Sequence, residues 1–201
     1  MAKTTFRIGG VHPDDAKVSR GCAIEVLPLP QTVYISMAQH LGAPAKPVVA
    51  VGDSVKAGQL IAEAGGFISA NVHSSVSGKV KSIAPRKDIA GNNVLHVEIT
   101  VEGDEWAEGI DLSDTLVTEI PGDRAAILDR IKACGVVGLG GATFPTHVKL
   151  NPAPGSVAEC LIINGAECEP YLTSDFRIML ERPKEIVVGA AIMKKVLGDC
   201  R

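Results

Sequence analysis

The sequence predicts an α/β protein that begins with an all-β part. Residues 46–102 alternate short β-branched runs with Gly-Asp and Ala-Gly turns, a pattern typical of short strands joined by tight turns. Residues 118–201 change to the helical spacing of apolar residues. A short apolar run between two of these helical segments fits a buried strand, and helices around such a strand predict the start of an α/β layer.

The composition narrows the class of partner. The chain has 201 residues, of which 46% are hydrophobic and 21% charged, as in a globular protein. Its net charge of −3 and aromatic content of 3% disfavour a nucleic acid partner. No apolar run approaches the roughly 20 residues that span a bilayer, and the N-terminus lacks the apolar region of a signal peptide. We therefore expect a cytoplasmic chain that makes no direct membrane insertion and binds no nucleic acid.

The five cysteines indicate neither a disulfide framework nor a metal site. Their number is odd, no secretion signal precedes them and no CxxC pair occurs. The sequence therefore predicts no metal in this chain. The five are Cys22, Cys134, Cys160, Cys168 and Cys200.

The chain divides into four predicted segments. Residues 1–45 are rich in Pro and Gly and predict an extended N-terminal arm with one or two strands. Residues 46–102 predict about half a dozen short strands in a small barrel or sandwich. Residues 103–117 form a linker, and residues 118–201 form the α/β part.

Helix signals are clear in the α/β part. The first predicted helix begins near Asp123 and ends at Gly135. Its apolar face is expected to carry Ile127, Leu128, Ile131 and Cys134.

The remaining elements are one strand and two helices. Glu159–Gly165 is the apolar run that fits a buried parallel strand. A short helix follows with Ser174 or Thr173 as its cap, and Pro183 suits the first turn of a last helix that ends at Gly198. Because one strand cannot make a parallel sheet, we expect this chain to be a truncated part of a longer protein.

A glycine loop is the first candidate site. Residues 138–150 read GLGGATFPTHVKL, with Gly138, Gly140 and Gly141 close to Lys149. These glycines can serve merely as a turn between elements. Alternatively, bare backbone N–H groups can approach a phosphate or a flat ring, and the lysine supplies a point charge. The loop lacks the ending of a P-loop and does not follow a strand, so neither common phosphate motif applies.

An acidic loop is the second candidate site. Residues 164–175 read NGAECEPYLTSD and follow the predicted strand, at the end where open α/β sheets bind ligands. Asn164 offers a donor and an acceptor, while Glu167, Glu169 and Asp175 add negative charge. A solvated acidic loop is one interpretation. Carboxylates that accept hydrogen bonds from ribose hydroxyls are the other.

The all-β part resembles the biotinyl/lipoyl superfamily, the barrel-sandwich hybrid. The resemblance lies in Gly52-Asp53, Gly58-Gln59 and Ser77-Gly78. Members of that superfamily that act as carriers attach their cofactor to a lysine on a hairpin tip. The matching tip here is Gly65-Gly66-Phe67, which has no lysine, so a carrier function is disfavoured.

Further motifs make the resemblance more specific. The loops GLGGATFPTHVKL and NGAECEP resemble the flavin-bearing NADH-binding subunit of respiratory complex I. The motifs GGVHP, AQHLGAPA, GDSVKAGQLI and VHSSVSGKV are still more similar to the C subunit of the Rnf electron-transport complex, also called Rsx. The resemblance extends from Gly10 to about Leu197.

This resemblance implies a fold and an activity. The fold is a barrel-sandwich hybrid followed by an incomplete Rossmann-like FMN/NADH-binding α/β domain. The activity is that of an NADH-oxidising subunit of a membrane-associated complex, which passes electrons from NADH through FMN to iron–sulfur clusters and is coupled to ferredoxin and ion transport. The clusters are expected only beyond Arg201, and the partners are the other Rnf/Rsx subunits at the inner face of the bacterial membrane. The 201-residue chain alone is expected to be inactive and to bind FMN weakly.

The resemblance also implies roles for individual residues. Gly138, Gly140 and Gly141 line the flavin, Lys149 meets its phosphate and Asn164 bonds the isoalloxazine ring or the ribityl chain. Phe144, Glu167 and Glu169 lie toward NADH. Hydride transfer needs positioning rather than a protein acid or base, so no residue is predicted to be catalytic. His147 is interpreted as an exposed loop histidine and Cys168 as an unactivated thiol.

Three positions depart from the complex I pattern. That family has Arg, Asp and an aromatic residue where this chain has Leu139, Ala166 and Leu150. The last two weaken the implied NADH contacts more than the FMN contacts. Two alternatives therefore stay open, a flavin-free docking or scaffold subunit and a related electron-transfer protein, similar to the Rnf C subunit, of an amino-acid reductase system.

Overall fold

The computed structural model describes residues 13–198 and Cys200. Residues 1–12 of the predicted arm, most of the GGVHP motif and Arg201 lie outside the described residues. Within them the chain forms seven strands followed by four helices. The strands are β1 (Thr32–Ser36), β2 (Lys46–Pro47), β3 (Ser54–Val55), β4 (Leu60–Glu63), β5 (Val72–His73), β6 (Gly78–Lys87) and β7 (Asn93–Val101). The helices are α1 (Arg124–Ala133), α2 (Thr146–Lys149), α3 (Ser174–Glu181) and α4 (Pro183–Leu197).

The strands form two antiparallel sheets. The larger sheet has the order β1-β7-β6-β3, and the smaller one has the order β2-β4-β5. In the larger sheet Thr32 pairs with Thr100, and an irregularity between Val80 and Ser82 shifts the register of β6 against β7. Such a bulge bends its strand, which curls the sheet. The six strands β2–β7 confirm the all-β prediction for residues 46–102, and β1 is a strand within the predicted arm.

A single apolar core holds the two sheets together. Strand side chains alternate between the two faces of a sheet, and Val80, Val97 and Ile99 are buried together on the core face of the larger sheet. Ile61 from the smaller sheet and Met37 from the chain after β1 are fully buried against them. Each such aliphatic side chain contributes about 1.5–3 kcal/mol by leaving water.

The predicted linker lies along the barrel. Ala57 and Trp106 form an isolated parallel bridge, and the Ala107 N–H donates to the Ala57 carbonyl at 2.8 Å. Ile110 packs so close to Gly58 that a Cβ there would lie 3.2 Å from its side chain. Hydrogen bonds and packing therefore both join this segment to the barrel.

Helix α1 begins and ends where its sequence predicts. The Asp123 side chain accepts a hydrogen bond from the Ala126 N–H, as an N-cap does, and Gly135 follows the helix with φ +65°. Ile127 is buried, as expected. Cys134 is exposed, so its placement on the buried face is wrong: it is the C-cap residue, after the last helical turn.

A second, smaller core joins the helices. Ile127 of α1, Val196 of α4 and Leu150 after α2 are buried together. Pro183 is the first residue of α4 and Gly198 follows its end with φ +88°, which confirms the predicted boundaries. Within the described part of the chain no helix is long and apolar enough to cross a membrane.

The predicted strand Glu159–Gly165 is not formed. Residues 159–165 have no regular secondary structure, and Ile162 is 80% exposed. A strand is stabilised by hydrogen bonds from a neighbouring strand. Among residues 13–198 no strand follows Val101, so the apolar run has no ladder to join.

Among the described residues, hydrogen bonds connect the barrel with the helical part at two places. The Asn71 side-chain amide donates to the Ala133 carbonyl at 3.2 Å, at the end of α1. The Leu41 N–H donates to the Thr143 carbonyl at 3.4 Å, within the glycine loop segment. The barrel therefore contacts the candidate site directly.

Candidate functional site

The glycine loop is the turn of a small hairpin between α1 and α2. Val137 and Pro145 form an isolated antiparallel bridge. The Gly138 N–H donates to the Phe144 carbonyl at 3.0 Å, which closes the loop. Gly140 has φ +83°, a conformation that side-chain-bearing residues rarely adopt. The backbone alone therefore favours glycine at this position.

Gly141 leaves room for a ligand, and Gly138 lies beside a cation. A Cβ at Gly141 would have no heavy atom within 4 Å, although its φ is not in the left-handed region. A Cβ at Gly138 would lie 3.2 Å from the Lys149 ammonium nitrogen. The loop therefore presents bare backbone beside one cation.

Helix α2 places that cation. Lys149 is the last residue of this short helix, and the buried Leu150 anchors the chain immediately after it. The Leu150 N–H donates to the Thr146 carbonyl at 2.9 Å, which fixes the turn. The lysine side chain is exposed and lies on the glycine side of the loop.

A cavity of about 780 Å³ opens in front of the glycine loop. This size falls within the range of about 300–1,000 Å³ that is usual for small-molecule sites. Among the described residues that line it, Lys149 is the only charged side chain. Six of the eight predicted site residues line it, namely Gly138, Gly140, Gly141, Phe144, Lys149 and Asn164.

The cavity has apolar walls that the sequence motifs did not predict. Gly189, Ile192 and Met193 form one wall from α4, and Leu161 and Ile163 line the cavity from the segment 159–165. Helical spacing at i, i+3 and i+4 puts the three α4 residues on one face, a signal that was available in the sequence. The spacing does not predict which part of the molecule that face contacts.

Glu167 and Glu169 do not line the cavity. Glu167 is half-buried, and its Oε1 accepts a hydrogen bond from the Phe176 N–H at 3.1 Å. Glu167 therefore caps the N-terminus of α3. Thr173, the N-cap residue by position, makes no side-chain cap bond. The other carboxylate oxygen of Glu167 is buried and has no hydrogen-bond partner among the described residues.

The acidic loop and the glycine loop are in contact. The Cys168 thiol lies 3.7 Å from the Gly140 carbonyl oxygen. A Cβ at Gly140 would lie 3.9 Å from the Asp175 carboxylate. Asn164, whose Oδ1 accepts from the Ala166 N–H at 3.0 Å, connects the cavity wall with this loop.

His147 differs from its sequence interpretation. It lies on α2 and is half-buried, and its Nδ1 is buried without a hydrogen-bond partner in the described part of the chain. Burial lowers the pKa of His147, and the positive charge of Lys132 lowers it further. The neutral imidazole is therefore the form that this position favours. All five cysteines are free thiols, and Cys168 is exposed.

Two family models identify the class of protein to which the chain belongs. The profile of the Nuo51 FMN-binding domain matches residues 131–200, which include the glycine loop, α2 and the acidic loop. The profile of the RnfC barrel sandwich hybrid domain matches residues 4–105, which include both sheets. The chain therefore belongs to the RnfC family.

Curated relatives of the chain are C subunits of ion-translocating oxidoreductase complexes. The chain is 46% identical over 200 residues to the C subunit of the proton-translocating ferredoxin:NAD(+) oxidoreductase complex of Clostridium ljungdahlii, covering 96% of this chain and 42% of the relative. It is 40% identical over 203 residues to the C subunit of the Na(+)-translocating complex of Acetobacterium woodii, covering 96% of this chain and 43% of the relative. It is 42% identical over 199 residues to the C subunit of the ion-translocating oxidoreductase complex of Rhodobacter capsulatus, covering 94% of this chain and 37% of the relative. The chain thus spans about two fifths of the length of these relatives.

Proposed function

We propose that this chain belongs to the NADH-oxidising C subunit of an Rnf-type electron-transport complex. The subunit takes electrons from NADH on FMN and passes them to iron–sulfur clusters, coupled to ferredoxin and ion transport. Its partners are the other subunits of that complex, and its place is peripheral, at the cytoplasmic face of the membrane. In this proposal residues 46–102 are the barrel-sandwich hybrid and residues 118–201 begin a Rossmann-like FMN/NADH-binding domain. The family membership and the relatives' names support this proposal.

The observation that carries the proposal is the cavity at the glycine loop. Its walls are apolar, as a flavin ring requires, and its one charged lining residue among those described is a cation, as a phosphate requires. Gly141 offers backbone without a side chain at the cavity, and the Lys149 ammonium lies beside Gly138. The described residues therefore fit FMN.

Each predicted cofactor residue has a role in this assignment. Lys149 binds the phosphate as a point charge, and Asn164 offers one donor and one acceptor to the ring or the ribityl chain. Gly138, Gly140 and Gly141 let the backbone approach the flavin closely. FMN, when bound, accepts a hydride and releases electrons singly. The chain's own task is to orient the two rings and to exclude water, so no side chain holds a catalytic proton.

NADH is proposed to bind on the side of the acidic loop. Phe144 lines the cavity and offers an apolar contact there. Glu169 is exposed and free to accept hydrogen bonds from hydroxyl groups. Glu167 retains one buried carboxylate oxygen without a partner among the described residues, although its other oxygen caps α3. These three residues are the proposed substrate side of the site.

A spectrum of the full-length protein tests the proposal. We expect a flavin absorption band that bleaches when NADH is added without oxygen. Lys149→Met should weaken FMN binding by about 10- to 100-fold, as loss of a hydrogen bond to a charged group does. Lys194→Met, which removes an exposed lysine of α4 outside the cavity lining, is the matched control. Full-length protein that binds no added FMN would contradict the proposal and favour the scaffold alternative.

A further inference from the structure

The described part of the N-terminal arm contacts the acidic loop, although Lys17 and Glu169 are 152 residues apart in the chain. The Lys17 ammonium donates to the Glu169 carbonyl at 2.8 Å and to the Leu172 carbonyl at 2.7 Å. One cation thus draws together two carbonyls of the same turn. Since an ammonium has three donors and no acceptor, this arrangement suits it well.

The same turn is held at two further points. Tyr171 has φ +68°, which is unusual for a residue with a side chain, and its N–H donates to the Asp15 carbonyl at 2.9 Å. The Ser19 and Thr173 hydroxyls form a hydrogen bond of 2.8 Å. A left-handed non-glycine residue costs about 1–3 kcal/mol and persists only when its surroundings hold it. The arm supplies those surroundings.

Helix α3 is tied to the arm as well. The Arg20 guanidinium lies over the Phe176 ring, 4.9 Å from its centre, and the Arg177 guanidinium donates to the Arg20 carbonyl at 3.2 Å. The Ile24 N–H donates to the Glu181 carboxylate at 3.1 Å. The hydrogen bond from Arg177 is the main reason that the pKa of Glu181 is lowered. The arm therefore follows the loop and the helix that comes after it.

The acidic loop contacts the arm on one side and the glycine loop on the other. Cys168 contacts the Gly140 carbonyl, and Asp175 approaches Gly140. The arm itself contributes no described residue to the cavity lining. Any effect of the arm on a bound nucleotide must therefore pass through the acidic loop.

We propose that Lys17 is a positioning residue for nicotinamide nucleotide binding. It holds the turn 169–172 in the conformation that presents Glu169, and it does so from outside the site. The inference rests on the proposed function, because it takes the acidic loop as the NADH side. It predicts that the arm affects NADH binding and leaves FMN binding unchanged.

Lys17→Met in the full-length protein tests the inference. The variant keeps an unbranched side chain and loses the ammonium. We expect unchanged FMN content, an apparent Kd for NADH raised about tenfold in rapid-mixing flavin reduction, and a limiting reduction rate within about twofold of wild type. Lys17→Arg keeps the charge and the donors and should recover most of the affinity. Ser19→Ala, which removes one neutral hydrogen bond, should have a smaller effect of about threefold.

Amide hydrogen exchange provides a readout that needs no flavin. Peptides covering residues 167–173 should exchange faster in Lys17→Met than in wild type, while peptides from β6 and β7 should be unchanged. Lys79→Met, on the exposed side of β6, is the control and should alter neither exchange in the loop nor NADH affinity.

The outcomes separate this inference from the proposed function. Unchanged loop exchange in Lys17→Met would overturn the positioning role. Faster loop exchange with unchanged NADH affinity would overturn the link to the nucleotide. Wild-type protein that binds no FMN would contradict the proposed function instead, and the exchange result would then still decide whether Lys17 orders the loop.

Discussion

A substitution at Gly141 tests the proposed FMN site directly. A Cβ there would meet no protein atom within 4 Å, and the backbone is not left-handed. Gly141→Ala should therefore fold normally and lose stability by no more than about 0.5 kcal/mol. It should still weaken FMN binding by tenfold or more, on the scale of about 1.4 kcal/mol per tenfold, because the methyl group occupies space needed by the ligand.

Fluorescence titration of the full-length variant with FMN measures this effect. Gly21→Ala is the matched control, because a Cβ at Gly21 also meets no atom within 4 Å and lies outside the cavity lining. Equal FMN affinity of wild type and Gly141→Ala would place the flavin elsewhere.

His147 makes stability depend on pH. Burial lowers its pKa below the usual 6.5, so the unfolded chain binds a proton more readily than the folded one. The stability that this neutral imidazole contributes is complete above about pH 6.5, the reference value for histidine, and is lost as the pH falls through the lowered folded pKa. His147→Gln, which does not titrate, should lose less stability on acidification than wild type.

Urea unfolding at about pH 7.5 and about pH 5.5, on either side of the histidine reference value, tests this dependence. Burial also lowers the pKa of His73, so His73→Gln should reduce the acid sensitivity in the same direction. An identical shift of the urea midpoint in wild type and His147→Gln would show that His147 does not titrate differently on folding.

At the scale of elements, α3 depends on a side chain from outside the helix. Its first residues have N–H groups without partners inside the helix, and the one of Phe176 is satisfied by Glu167 rather than by Thr173. The loop that carries the proposed NADH contacts therefore also determines where α3 begins. A change in that loop is transmitted to the helix.

Glu167→Ala should destabilise the protein by about 1 kcal/mol, as the loss of an N-cap does. Glu167→Gln keeps an acceptor oxygen and should cost less. Glu169→Ala, at an exposed position two residues away, should change the free energy of unfolding by less than about 0.5 kcal/mol. Chemical denaturation of the three variants makes the comparison. Equal stability of Glu167→Ala and Glu169→Ala would contradict the capping role.

At the scale of the whole molecule, the barrel supports the glycine loop. Gly135 comes so close to the barrel that a Cβ there would lie 2.2 Å from the Asn71 carbonyl oxygen. Its φ of +65° adds a second reason for glycine. This close approach lets Asn71 reach the end of α1, just before the loop begins.

Gly135→Ala should therefore lower stability by more than the roughly 1 kcal/mol that a left-handed alanine alone costs, and it should weaken FMN binding. Gly109→Ala is the control, because Gly109 has φ +81° and a Cβ there would meet no atom within 4 Å. The difference in unfolding free energy between the two variants isolates the contact with the barrel. Equal losses would mean that the barrel and the helical part are energetically independent.

The openness of the cavity predicts weak FMN binding by the 201-residue chain alone. Leu139 is 85% exposed and Ile162 is 80% exposed, so one side of a bound ring would face water. Leaving roughly 150 Å² of apolar ring surface uncovered costs about 4 kcal/mol, or nearly three decades of affinity. For a full-length protein that binds FMN with a micromolar Kd, isothermal titration of this chain should find a Kd near millimolar. A Kd below about 10 μM would show that this part alone completes the site.

Much of the fold was readable from local patterns. The strands β2–β7 follow from alternating apolar residues and tight turns, and α1 follows from its period and its Asp123 cap. Residue types also identified the glycine loop, since the positive φ at Gly140 favours glycine and the bare backbone at Gly141 leaves open space at the cavity. These features depend on neighbours close in the chain, which the sequence displays directly.

Other features depended on contacts between distant residues. The apolar run at Glu159–Gly165 has the composition of a strand, but a strand also needs a partner, and none is present among the described residues after Val101. Glu167 was expected to face NADH, yet one of its oxygens caps α3. No local pattern in the sequence indicates that Lys17 binds the acidic loop, 152 residues away.

The sequence by itself thus determined the family, the all-β part, the helices α1, α3 and α4 and the residue types of the candidate site, because each is encoded over a few neighbouring positions. Only the tertiary structure decided which walls enclose the cavity, which carboxylate caps a helix and which lysine holds the acidic loop. Those outcomes are set by packing and hydrogen bonding between segments far apart in the chain, where many sequences are compatible with the same local pattern.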